Sequence, residues 1–135
     1  MATFKSLKWY GDDVYKKIHN EQKKRVKQAA IFLERYIRKS FKPGSGNVYI
    51  VAGKPHHASA AGEPPAALSG NLRNSITHEI EEALWDIVGR VGTNVEYGKW
   101  LELGTKDMSP RPYLRRAIEE NKQELVNILV GKEIK

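Results

Sequence analysis

Tyr97-Gly-Lys-Trp-Leu-Glu-Leu-Gly104-Thr-Lys-Asp-Met-Ser-Pro110-Arg-Pro-Tyr-Leu-Arg-Arg-Ala117 reads as a helix, a sharp turn and the start of a second helix. Just upstream, Thr93 and Glu96 stand three apart. That is the spacing of a reciprocal cap, in which side chains at both ends satisfy free N–H groups of a first helical turn, so a short helix is expected from near Asn94. Tyr97 and Leu101 lie four apart with Trp100 beside them, giving one apolar face before Gly104 supplies the left-handed residue that ends it. Gly98 inside this helix costs ~1 kcal/mol relative to alanine, which keeps the helix short. Pro110 and Pro112 hold Arg111 in extended backbone, and Pro112 suits a first helical turn, where its missing N–H costs nothing. Glu102 and Arg111 flank this turn. The expectation is that they fix it, with each other or with Arg73, which sits beside another tight glycine turn at Gly70.

Downstream, Leu114, Ala117, Ile118, Asn121, Leu125, Ile128 and Leu129 form the stripe of one closing helix that Gly131 ends, and the last four residues should fray. Upstream, Ser69 can cap a single turn over 70–74. Ile76, His78 and Ile80 then alternate with Thr77, Glu79 and Glu81, and Trp85, Ile87, Gly89 and Val91 alternate with Asp86, Val88 and Arg90. The short connection between these runs predicts an antiparallel hairpin, with His78 a satisfied histidine on a half-buried strand. A further strand is expected over 47–52, making a small sheet of three. Residues 53–68 are mostly Gly, Ala, Ser and Pro, with little to bury, and read as a flexible loop.

Nearest the N-terminus, residues 1–11 read as an arm whose aromatic residues need a surface to cover. Asp12 or Asp13 is expected to cap a long amphipathic helix with Val14, Ile18, Val26, Ala29, Leu33, Ile37 and Phe41 on its stripe. Run unbroken, it is about 45 Å long, and one end should project. The fold class is therefore α+β: a long N-terminal helix and a C-terminal helix packed on one face of a small antiparallel sheet.

The chain has 135 residues, 40% of them hydrophobic, which supports a single domain over 1–135. The absence of cysteine excludes disulfides and thiolate metal sites. No apolar run approaches the ~20 residues that span a bilayer, so no membrane partner is expected. His56 and His57 lack further ligands at metal spacing and read as a solvated pair, so no metal and no cofactor is assigned. The net charge is +7, and residues 12–42 carry ten basic against four acidic residues. Such a stripe is either a solvated face or a nucleic-acid footprint. No phosphate loop, nucleophile motif or metal spacing is present, and Glu102 reads as a structural ion-pair partner rather than a general base, so no catalytic residue is assigned and the chain is not expected to be an enzyme.

Tyr97-x-x-Trp-Leu-Glu-x-Gly-Thr105 followed by Arg111-Pro-Tyr-Leu-x-x-Ala117 resembles the tail-completion, or head–tail joining (neck), proteins of long-tailed bacteriophages and prophages, which typically read Tyr-Ala-x-x-Leu-Glu-Phe-Gly-Thr and Arg-Pro-Phe-Leu. Ala58-Ser-Ala-Ala-Gly-Glu-Pro-Pro65, Ser69-Gly-Asn-Leu-Arg-Asn-Ser-Ile76 and the opening Trp9-Tyr-Gly-Asp-Asp13 are similar to further segments of that family. Departures are Gly98 for alanine, Leu103 and Tyr113 for phenylalanine, and Ser69 for threonine. The resemblance implies a structural virion protein that completes the head-proximal end of a tail and joins it to the head. It would act as a subunit of a homo-oligomeric ring, with the isolated chain able to be a monomer. Its partners would be other tail and neck proteins (the tail terminator or tube and the head-completion protein), with DNA passing nearby without sequence-specific binding. It would reside in the virion, and in the host cytoplasm during assembly. Candidate interface or turn-fixing residues are Arg73, Glu102, Gly104, Thr105, Arg111 and Pro112, and His57, Gly62, Pro64 and Pro65 mark a candidate docking loop. The competing expectation, from the basic helix alone, is a small nucleic-acid-binding protein or toxin-like ribonuclease.

Overall fold

A computed structural model describes residues 8–66 and 70–132. The architecture is α+β, and its axis is the 30-residue helix α1, Gly11–Ser40. Ala29, Ala30, Leu33 and Ile37 on its stripe are buried, as is Phe41 just beyond its end. Val14 and Ile18, on the same stripe nearer the N-terminus, stay exposed. Asp12 and Asp13 lie inside the first turn, where they oppose the positive end of the helix, and neither caps it, because the helix begins one residue earlier after Tyr10. Trp9 of the expected arm finds no cover and is 77% exposed; residues 1–7 lie outside the described residues.

The strands form two separate two-stranded antiparallel sheets, not one sheet of three. Strand β1, Val48–Val51, pairs with β2, Lys54–His57, through a two-residue turn in which Ala52 and Gly53 both take positive φ. Positive φ at both central residues gives the turn whose twist matches the flanking strands, so the chain folds straight back and β1 takes β2 as its partner. Pro55 is tolerated because a strand of a two-stranded ribbon has a free edge. The second ribbon, β3 (Thr77–Glu82) with β4 (Ile87–Gly92), pairs His78 with Val91 and Ile80 with Gly89. His78 and Ile80 are half-buried and their neighbours exposed, as the alternation predicts, but β4 starts at Ile87, and Trp85 stands in the turn, 82% exposed.

This ribbon lies along α1 and is fastened at successive levels. Arg38 donates to the Ile76 carbonyl (2.5 Å from Nη2), Glu34 meets His78 (2.5 Å), Glu82 meets His19 (2.8 Å) and Lys23 (2.6 Å), and the Tyr15 hydroxyl donates to the Leu84 carbonyl. Between these levels Gly89 permits close approach, since a Cβ there would stand 3.0 Å from Val26 Cγ1.

The short helix α2, Asn71–Ser75, follows Gly70, whose φ is +78°; the expected Ser69 cap lies outside the described residues. Helix α3 is Glu96–Leu103. The closing helix is divided into α4, Leu114–Glu120, and α5, Lys122–Val130. The break is at buried Asn121, whose side-chain amide donates to the Ala117 carbonyl (2.8 Å) and competes with the helical ladder there. Ile118 and Leu129, expected on the buried stripe, are exposed. Gly131, with φ +80°, closes α5 as predicted, and the Lys132 N–H reaches back to the Asn127 carbonyl (2.8 Å). The core joins Leu33 and Ile37 of α1, and Phe41 just after it, to Leu72, Ile76, Tyr113 and Ala117.

Candidate functional site

The motif-bearing residues gather where the 93–117 segment meets the 58–66 segment. Helix α3 begins two residues later than the Thr93 and Glu96 spacing predicts. Thr93 Oγ1 accepts the Val95 N–H (3.0 Å) in a local turn, and α3 has no side-chain cap. At the far end Gly104 takes φ +77°, ψ 172°, extended rather than helical in ψ, and its N–H closes on the Trp100 carbonyl (2.7 Å). A Cβ on Gly104 would stand 2.9 Å from the Met108 carbonyl oxygen and from two Pro110 ring carbons, so only glycine fits. Thr105 and Met108 exchange backbone hydrogen bonds of 2.9 and 3.3 Å across the turn, and the Arg111 N–H donates to the Leu101 carbonyl (2.7 Å).

Glu102 fixes this turn, but not by pairing with Arg111 or Arg73. Its carboxylate accepts the backbone N–H groups of Tyr113 (2.8 Å), Leu114 (2.9 Å) and Arg115 (2.9 Å), the free donors at the start of α4. The physical reason is local: Tyr113, at the cap position of α4, supplies no side-chain acceptor, and a carboxylate there satisfies three aligned N–H donors that would otherwise be free at the helix start. Pro112 therefore sits two residues before α4 rather than in its first turn. Arg111 Nε is buried without a hydrogen-bond partner, and Arg73 is exposed on α2. Glu102 also lines a cleft of about 440 Å³ walled by Val95, Leu103 and Leu114.

Tyr113 underlies the whole turn. It is 1% exposed, leans on Phe41 at 5.5 Å between ring centroids, and its hydroxyl donates to the Gly98 carbonyl (3.0 Å). Burial, followed by the nearby Glu102 carboxylate and Tyr97, pushes its phenol up to about 12. Gly98 is buried against it. An added Cβ would lie 2.7 Å from the Tyr113 hydroxyl oxygen, so the glycine that weakens helix propensity is the residue the packing requires.

The 53–68 segment is not a free loop. Lys54–His57 is strand β2, and His57 accepts the Gly44 N–H through its carbonyl (3.1 Å). Gly62 donates to the Pro110 carbonyl (3.1 Å) and accepts from Arg116 Nη1 (3.1 Å), joining this segment to the Gly104–Pro110 turn. Pro65 is buried and Pro64 half-buried. The residue that organises the segment, Glu63, carried no motif signal beyond its place in Ala-Gly-Glu-Pro-Pro. Its carboxylate accepts from the Ser45 hydroxyl, the Ser45 N–H (3.0 Å) and the Ala60 N–H (2.9 Å), and these donors, the hydroxyl first, lower its pKa to about 2. Ala67 and Leu68 lie outside the described residues.

The site is thus a junction of backbone segments latched by two carboxylates. Among the described residues no group of three or more His, Asp or Glu side chains is placed to hold a metal ion. In comparisons with known proteins, the chain matches no family model, no curated protein and no solved structure.

Proposed function

We propose that the chain is a structural assembly subunit: a tail-completion protein of a long-tailed bacteriophage or prophage that forms a ring at the head-proximal end of the tail and joins it to the head. The observation that carries this reading is the pair of uncovered apolar surfaces at opposite ends of α1. At the C-terminal end, all four residues of β1 (Val48, Tyr49, Ile50 and Val51) are exposed, Ile50 by 73%. At the N-terminal end, Trp9, Ile18, Leu84 and Trp85 are exposed together, around the Tyr15 contact with Leu84. A subunit that closes into a ring by rotation needs two different surfaces, one for each neighbour, and exposed apolar patches of this kind mark interaction sites. The use of both Glu102 oxygens by backbone N–H groups supports a structural role for the motif over that of a general base.

Electron microscopy of particles made with and without the protein tests the reading. Unjoined heads and tails are expected without it, and joined particles in its absence would refute it. The competing nucleic-acid reading has its own signature, since contact with six or more phosphates would weaken binding by roughly 1000-fold between 50 and 200 mM salt.

A further inference from the structure

Helix α5 covers only part of the face that α1 turns toward it. The uncovered part is a groove of about 780 Å³ whose floor includes Ile31, Phe32 and Ile128. Its rim carries Lys24, Arg35, Lys39 and Lys132, and none of these four makes an ion pair among the described residues. On α1, positions 24, 28, 31, 35 and 39 are spaced by three or four and share one side of the helix. The row from Lys24 to Lys39 is about 22 Å long at ~1.5 Å per residue.

We propose that this groove is a docking site for an acidic amphipathic helix of a partner protein, about four turns long. Its apolar stripe would cover Ile31 and Phe32, and its flanking carboxylates would meet Lys24, Arg35 and Lys39. Charge complementarity sets the sign of the partner, and the apolar floor sets its class. A helix laid in a groove rewards both features, whereas a phosphate backbone rewards the cations and gains nothing from Phe32. A second copy of this chain is the wrong occupant, because its net charge of +7 would bring like charge to a basic rim. The proposal rests on the groove's own chemistry and stands or falls apart from the ring-subunit reading.

The test uses the full chain and a fluorescent synthetic 18-residue peptide with leucine along one helical face and glutamate on the flanks. Saturable binding is expected in fluorescence anisotropy, with a gain of peptide helicity by circular dichroism. It should weaken by about tenfold or more for Lys24→Glu/Lys39→Glu, two exposed positions whose change leaves the fold intact, and by a similar factor when the peptide leucines become serine. No saturable binding, or equal binding by the double variant, overturns the proposal. So does equal binding by the serine peptide, which would show charge attraction alone, or tighter binding of an 18-base-pair DNA duplex through the same lysines.

Discussion

Gly98→Ala is the most informative single change, because two rules about alanine point in opposite directions there. In an exposed helix interior the substitution should stabilise by about 1 kcal/mol. At Gly98 the new methyl would instead stand 2.7 Å from the Tyr113 hydroxyl, 2.8 Å from Thr93 Cγ2 and 3.0 Å from Leu72 Cδ1. Overpacking of this kind costs about 1–3 kcal/mol, and displacing the hydroxyl also strains its hydrogen bond to the Gly98 carbonyl, worth about 1 kcal/mol. The net expectation is destabilisation by about 1–3 kcal/mol. Tyr113→Phe alone should cost about 1 kcal/mol, the value of the lost hydrogen bond. With the hydroxyl gone the nearest obstacle to the methyl is gone too, so Gly98→Ala should cost at least about 1 kcal/mol less in the Tyr113→Phe background. Urea denaturation of the four proteins measures that coupling, and additivity within about 0.3 kcal/mol would refute the packing argument.

Glu102→Ala should destabilise by about 1–3 kcal/mol by stranding three N–H donors at the start of α4, while Lys23→Ala, an exposed control, stays within about 0.5 kcal/mol; equal losses in denaturation would contradict the capping role. The raised Tyr113 pKa contributes stability that is complete below the ordinary phenol value of 10.0 and is lost as pH rises toward about 12; chemical denaturation across that window should show a loss that Tyr113→Phe removes. Glu63 has the opposite sign: its contribution is complete above the ordinary carboxyl value of 4.5 and is lost as pH falls toward about 2. Hydrogen exchange at the Ser45 and Ala60 amides should therefore accelerate, beyond the intrinsic rate change, across that acid window in the native chain, with no such step in Glu63→Gln.

The helices were legible wherever burial follows periodicity. Ala29, Leu33, Ile37 and Phe41 are buried at the spacings that predict them, and Gly131 ends α5 as its position suggests. Val14 and Ile18 continue the same stripe yet stay exposed, because a period reveals which face is apolar and not whether anything covers it. Strand β2 was hidden because Lys54-Pro55-His56-His57 has neither β-branched residues nor alternation, and its only signal was the Ala52-Gly53 turn. The latches were harder still. The sequence suggested an ion pair of Glu102 with Arg111 or Arg73, whereas its partners are main-chain amides, which every residue carries and no composition displays. Likewise the break at Asn121 comes from a side chain reaching its own helix, a competition that a clean apolar stripe conceals.

The capping of α4 also bears on the order in which the chain can fold. No side chain of its own cap residue stabilises α4, and the carboxylate that does comes from eleven to thirteen residues earlier, across a turn that needs Gly104 and the prolines in place. A seven-residue helix is too short to nucleate alone in water. Helix α4 is therefore a late passenger of α3 and the turn. In kinetic experiments substitutions at Glu102 should speed unfolding more than they slow folding, and helix α4 should gain protection only after α3 and the turn have closed.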